Sequence, residues 1–157
     1  MRDFIVRTAK LEDLEVLLEF EQGLIEAERP MDPTLAPNPI SYYDLSEMIH
    51  LDTAEVIVVE KDAQLVASGY AKIKKARHYL DHEYCSYLGF MYTRPEFRGK
   101  GVNKLIVDEL KKWSISKGLK EIRLTVYDDN IAALKAYEKV GFKKHLIEMR
   151  LTDSDKK

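Results

Sequence analysis

The stretch Tyr92-Thr93-Arg94-Pro95-Glu96-Phe97-Arg98-Gly99-Lys100-Gly101-Val102-Asn103-Lys104 joins what reads as a strand to what reads as a helix, and its reading decides the fold. An apolar run from Tyr84 to Thr93 has strand character, and Pro95, which has no N–H to give a ladder, ends it. A basic loop with two glycines follows and feeds an amphipathic helix starting near Lys100 or Gly101. The first four amides of a helix have no intrahelical acceptor and lie at the positive end of its dipole, so this junction attracts anions. Gly99 and Gly101 permit positive φ and a close backbone approach to a pyrophosphate. Arg98, Lys100 and Lys104 add charge. Taken alone, these residues suit a solvated basic turn equally well, so the rest of the chain must decide.

Downstream, Val102, Leu105, Ile106, Leu110 and Trp113 recur at helical spacing, and Gly118 stands where a left-handed C-cap ends a helix. Ile122, Leu124 and Val126 alternate with Arg123, Thr125 and Tyr127, which predicts a strand with one buried face. Strand, helix and strand in this order predict a right-handed crossover. Asp128, Asp129 and Asn130 are turn and N-cap types; Ala133, Leu134, Tyr137 and Val140 continue as a short helix closed by Gly141. Phe142 opens a final strand in which Ile147, Met149 and Leu151 alternate, and residues 152–157 read as a frayed tail.

Upstream, Glu55–Glu60 and Gln64–Ile73 read as strands joined by a turn at Asp62-Ala63, making an antiparallel meander with Tyr84–Thr93. Val56 to Val59 are consecutive apolar residues, which predicts burial on both faces, and Gly69 marks a bulge or a close approach. Ser41 suits the N-cap of a helix carrying Tyr43, Leu45, Met48 and Ile49 and ending near Leu51. The four prolines between Arg29 and Pro39 make a loop. Phe4–Arg7 is a short strand, followed from Thr8 or Lys10 by a helix with Leu11, Leu14, Leu17, Leu18, Leu24 and Ile25 on one face. Its other face carries Glu12, Asp13, Glu15, Glu19, Glu21, Glu26 and Glu28, which suits either a solvated surface or an entrance for a cationic amine. The order of elements predicts an α+β domain: one mixed, mostly antiparallel sheet with about four helices on both sides, spanning residues 1–151 as a single domain.

The 157 residues are enough for a domain that buries roughly 70% of its unfolded surface. A net charge of −2 argues against a general nucleic-acid or membrane-surface binder, so any basic site is local. No apolar run approaches a membrane span, and the N-terminus runs straight into a strand rather than a signal peptide. Cys85 is the only cysteine, which excludes an internal disulfide and a cysteine metal site and points to a reducing, cytoplasmic setting.

Arg98, Gly101 and Asn103 resemble the central motif of the GCN5-related N-acetyltransferase (GNAT) superfamily: Arg or Gln, two residues, Gly, one residue, then Gly or Ala. Asn103 departs from it. Asn130, Ala133, Tyr137, Gly141 and Phe142 resemble the family's second block, and the resemblance covers nearly the whole chain. It implies acetyl-CoA as co-substrate, no metal, and a sheet splayed where the coenzyme binds. By the same resemblance, the backbone of Met91, Tyr92 and Thr93 pairs with the pantetheine arm, and the amides of Arg98, Gly99, Lys100, Gly101, Val102 and Asn103, with Lys104 beside them, hold the pyrophosphate. Asn130, with Ala133 in the same block, bonds the coenzyme or caps its helix, and Tyr137 protonates the leaving thiolate. Relatives often place a Glu in mid-strand before the cradle, where this chain has Tyr87-Leu88-Gly89-Phe90. Glu83 is the candidate base, with His82 second; Tyr84, Tyr87 and Tyr92 are candidates for shaping the acceptor pocket. The acids favour a cationic acceptor, a small primary amine or a peptide amine. The short segment after Gly141 leaves a site that is open or completed by a second subunit in a homodimer. The missing mid-strand acid keeps a non-catalytic acyl-CoA-binding module in view. A nucleotide-phosphate domain is the third reading, against which Gly101 is followed by Val102 and Asn103 rather than a Walker-type Lys-Ser/Thr.

Overall fold

The computed structural model describes residues 3–153. Its sheet is built on strand β2 (Ala54–Lys61), where Val56, Ile57, Val58 and Val59 are all buried. Successive strand side chains point to opposite faces, so this run feeds two cores. Val56 and Val58 pack with Leu17, Phe20, Leu45, Tyr70 and Phe90 on one face. Ile57 and Val59 pack with Val66, Leu88, Val102, Ile106 and Leu110 on the other. Helices α1 (Leu14–Glu28) and α2 (Leu45–His50) cover the first face, and α3 (Val102–Ser116) covers the second.

The remaining elements are β1 (Ile5–Thr8), β3 (Gln64–Lys75), β4 (Tyr84–Thr93), β5 (Ile122–Arg123) and α4 (Ile131–Lys139). The sheet order is β1-β2-β3-β4-β5, with β1 to β4 antiparallel and β5 parallel to β4. Asp62 and Ala63 both take positive φ in the β2–β3 turn, the backbone that a two-residue hairpin requires. At the far end of α3, Gly118 has φ 76 and the Leu119 amide donates to the Ser114 carbonyl at 3.0 Å, a left-handed cap as expected. The α2 end of the proline loop is tied to α1 by Glu21, a buried carboxylate that accepts the amides of Tyr42 and Tyr43, each at 2.8 Å.

Three expectations are corrected. Asp44, not Ser41, caps α2: its side chain accepts the Glu47 amide, while the Ser41 hydroxyl turns to the Tyr43 carbonyl. The strand expected through Tyr127 pairs only at Ile122 and Arg123. No final strand forms among the described residues: Ile147 and Met149 are each 88% exposed, and the segment after Phe142 joins no ladder. Alternation fixes which side of a segment is apolar; it does not supply a neighbouring strand, and residues 124–127 have already left the sheet. Of the expected tail, residues 154–157 lie outside the described residues.

Candidate active site

The cradle forms as the glycines dictate. Gly99 and Gly101 have φ 76 and 79, and Gly101 stands at the N-cap of α3 with no side-chain cap. A residue in this left-handed conformation turns successive amides toward one concavity. A Cβ built on Gly99 would meet no heavy atom within 4 Å, so the loop is not packed against the rest of the protein at that point. Arg98 folds back, its Nε donating to the Thr93 carbonyl at 2.9 Å, with the guanidinium 5.7 Å from the Tyr92 ring. Lys104 pairs with Asp108 at 2.8 Å, which offsets part of its charge. Lys100 is exposed, with its ammonium 5.5 Å from the Phe97 ring. Uncapped amides, open space and surrounding cations fit a pyrophosphate.

Beside the cradle the sheet parts. β4 and β5 pair at Ser86↔Ile122 and Tyr87↔Arg123, and among the described residues no ladder joins them beyond that point. A hydroxyl contact between Tyr87 and Thr125, at 2.7 Å, marks the fork. Further along β4, two residues, Phe90 and Met91, stand opposite Gly69 alone, a β-bulge with Phe90 at φ 56. Met91 then packs on the α3 face and Tyr92 on the α1 face, so the backbone of Met91, Tyr92 and Thr93 borders a notch between the diverging segments.

Asn130 caps α4, its Oδ1 accepting the Ala133 amide at 3.1 Å; in this structure the cap uses both residues. On the same helix, Tyr137 packs edge-on against Phe142 with ring centroids 5.8 Å apart. Burial raises the Tyr137 phenol above its ordinary pKa, and the negative charge of Glu28 raises it further. The phenol therefore stays protonated at neutral pH.

Glu83 lies elsewhere. It precedes β4, its carbonyl accepts the Ala76 amide at 2.8 Å, and the ten residues of β4 separate it from the cradle. At about 3.4 Å per residue this is roughly 30 Å. His82 shares that loop and contacts Asp81 at 2.8 Å. Both precede the fork at Tyr87, on the other side of it from Met91, Tyr92 and Thr93, and Tyr84 starts β4 on that side too.

Sequence reasoning did not single out a cluster at the end of α1. The Tyr42 hydroxyl donates to Glu28 at 2.8 Å, and the Tyr127 hydroxyl donates to Asp32 at 3.1 Å. Glu28 had been one acid among seven on a helix face, with no local signal to separate it from the rest. Two open depressions, of about 450 and 480 Å³, lie at the C-terminal end of α3 and beside Ser41–Ser46, and neither includes a cradle residue. Among the described residues no group of three His, Cys, Asp or Glu gathers to hold a metal, and no helix is long and apolar enough to cross a membrane.

Solved structures share this architecture. A tetramutant of the BH1408 protein of Bacillus halodurans superposes with a TM-score of 0.82 at 18% identity, over 94% of this chain and 99% of that one. A predicted acetyltransferase of Clostridium acetobutylicum, crystallised with acetyl-CoA, gives 0.73 at 18% identity over 95% and 96%. The AAC(6')-Iy structure, in complex with a bisubstrate analogue of CoA and acetylneamine, gives 0.70 at 20% identity over 95% and 98%. At these identities the likeness establishes the fold, that of the acyl-CoA N-acyltransferases. A sequence model of the Acetyltransferase (GNAT) family matches residues 21–142, and with that match the chain belongs to the GNAT acetyltransferase family.

Proposed function

We propose that this protein, read as one domain over residues 1–151, transfers an acetyl group from acetyl-CoA to a primary amine. The observation that carries the reading is the parting of β4 from β5 beyond Tyr87 and Arg123, next to an uncapped, glycine-opened helix N-terminus. Bound there, acetyl-CoA supplies an acetyl carbon activated as a thioester. The amides from Arg98 to Asn103 receive the pyrophosphate, with the Lys104 ammonium alongside, and the backbone of Met91, Tyr92 and Thr93 offers N–H and C=O groups to the amide-bearing arm. Asn130 and Ala133 serve this side by fixing the start of α4. Tyr137 Oη holds the proton that the departing sulfur takes. The amine must lose its own proton, since at a pKa near 10.4 only about one in a few thousand is neutral at pH 7. Glu83 is left out of this scheme: it precedes the fork at Tyr87, while the backbone of Met91, Tyr92 and Thr93 lies beyond it.

The acetylneamine bisubstrate analogue bound by AAC(6')-Iy favours a small-molecule acceptor over a peptide. The test is a screen of amines, alcohols and carboxylates with acetyl-CoA, following release of free thiol. Transfer to amines supports the reading; turnover confined to hydroxyl or carboxylic acceptors refutes it. Tight coenzyme binding by calorimetry with no transfer would favour a non-catalytic acyl-CoA-binding module instead. A cytoplasmic homodimer completes the proposal, supported by the exposed apolar side chains of Leu146, Ile147, Met149 and Leu151. Light scattering that shows a monomer at all concentrations would remove the dimer.

A further inference from the structure

We propose that Glu28 is the base that takes the acceptor amine's proton, positioned by Tyr42 and working opposite Tyr137. The inference rests on the amine-acetyltransferase reading above and assigns the base that reading lacks. Helix α1 crosses the bulged end of β4: a Cβ on Gly23 would lie 2.9 Å from the Tyr92 hydroxyl, and the Phe20 and Tyr92 rings pack 5.0 Å apart. The last residue of that helix is Glu28. Its Oε1 accepts the Tyr42 hydroxyl at 2.8 Å, and among the described residues its Oε2 accepts nothing. One turn on, Asp32 bonds Tyr127, which lies beyond the fork on the diverging segment. These contacts bring the end of α1 to the mouth of the notch.

The two carboxylates there differ in kind. Asp32 accepts from the Thr34 amide and hydroxyl, from Tyr127 and from Arg150, and these bonds, the Thr34 ones first, hold its pKa down at about 2. Its lone pairs are taken, and it is a fixed anion. Glu28 has one such bond, and burial raises its pKa, with the Asp32 charge adding to the rise. Adjacent groups pushed in opposite directions are a recurring acid–base arrangement. The groups facing Glu28 are Tyr42 and Tyr43 from the loop before α2, Asp32, Tyr127 beyond β5 and Tyr137 from α4, with Arg150 reaching Asp32.

The protons balance. As the amine nitrogen bonds the acetyl carbon and the carbon–sulfur bond breaks, an ammonium acceptor gives up two protons. Glu28 passes the first to solvent before attack. It takes the second from the bonded nitrogen and returns it to Tyr137, whose own proton has gone to the sulfur.

The test measures kcat/KM against pH with benzylamine, spermidine and a lysine peptide as acceptors, in the wild type and in Glu28→Gln, Glu28→Asp and Tyr42→Phe. For wild type, log kcat/KM should rise with slope two below the Glu28 pKa and slope one above it. Glu28→Gln should show slope one throughout and a rate about 10²- to 10⁴-fold lower, with coenzyme affinity unchanged by calorimetry. Glu28→Asp should keep both slopes at an intermediate rate. Tyr42→Phe should keep both slopes with the break moved to higher pH, because the lost bond had favoured the ionised form. Without any ligand, ultraviolet titration of Glu28→Gln should show tyrosines ionising at lower pH than in wild type. A Glu28→Gln profile matching wild type in slope and rate overturns the proposal, as does loss of coenzyme binding in both Glu28 variants, which would make the residue structural. If the wild type acetylates none of these amines while binding acetyl-CoA, the parent reading falls first and takes this one with it.

Discussion

Gly99→Ala and Gly118→Ala put the same methyl group on the same backbone at opposite ends of α3. Both glycines have φ 76, and a Cβ on either would meet no heavy atom within 4 Å. The penalty to the fold is then the left-handed conformation alone, about 1–2 kcal/mol in each case. For a chain of this length that is a fall in Tm of roughly 2–8 °C, the same for both. Their effects on ligand should differ. The Gly99 methyl stands two residues before the uncapped N-cap of α3; the Gly118 methyl stands at the other end of the helix. Losing one charge-assisted hydrogen bond, worth about 1.5–3 kcal/mol, lowers acetyl-CoA affinity about 10- to 150-fold. Calorimetric titration with acetyl-CoA, beside thermal melts of the same samples, reads both quantities. Gly99→Ala should lose affinity and Gly118→Ala should not. Unchanged binding in both would show that the pyrophosphate sits elsewhere, and equal loss in both would trace the effect to general destabilisation.

Other perturbations test the frame around the site. Glu21→Ala leaves the half-buried amides of Tyr42 and Tyr43 without their acceptor, at about 1–3 kcal/mol for each. Urea unfolding should show a loss of about 3–5 kcal/mol, much less in Glu21→Gln, whose amide oxygen still accepts; a loss below about 1 kcal/mol would mean that the bonds are absent. Arg7 first, and then the Lys10 amide, holds the Asp13 carboxyl below its usual pKa. A depressed carboxylate stabilises fully above its unfolded pKa, near 3.9, and loses that contribution as pH falls through the folded value. The stability gap between wild type and Asp13→Asn should therefore close on acidification, and a gap constant down to about pH 2 would refute the assignment. Tyr137→Phe should lower turnover about 10²-fold or more with coenzyme affinity kept, and an unchanged rate across pH would remove its acid role.

The backbone of the glycine loop was legible because every feature of it is local. Two glycines, three cations and a helix start occupy seven consecutive residues, and both positive-φ positions fall where the sequence put them. The α3 cap at Gly118, the hairpin turn at Asp62-Ala63 and the double burial of Val56–Val59 are local in the same sense. The cluster at the end of α1 is not. Tyr127 and Asp32 meet across 95 positions, Tyr42 and Glu28 across 14, and neither pair has a spacing that marks it. Glu83 drew attention by nearness in sequence to β4, yet a strand moves charge away along its axis as fast as any element can. The final strand failed for a related reason: Ile147, Met149 and Leu151 carry the alternation, but a ladder also needs an edge, and β5 pairs over only two residues.

The parting of the strands has its cause inside the sheet. β3 places Gly69 alone opposite Phe90 and Met91, and a Cβ there would sit 2.6 Å from both Ile106 Cγ2 and Met91 Sδ. Only glycine lets α3 and the bulge close on the same point. Phe90 takes φ 56, a conformation costing a bulky residue about 1–3 kcal/mol. That cost is offset by burial: Phe90 is 1% exposed, its ring lies 5.5 Å from that of Tyr43, and the Ser68 hydroxyl donates to its carbonyl at 3.2 Å. A bulge bends its strand and sharpens the twist, so β4 beyond Phe90 leaves the line of β5. The β4–β5 ladder has ended by Tyr87, and the backbone of β4 beyond it has no β5 partner among the described residues. The sequence does carry a sign of this, but on the neighbouring strand: it is Gly69 in β3 that reports where β4 turns away.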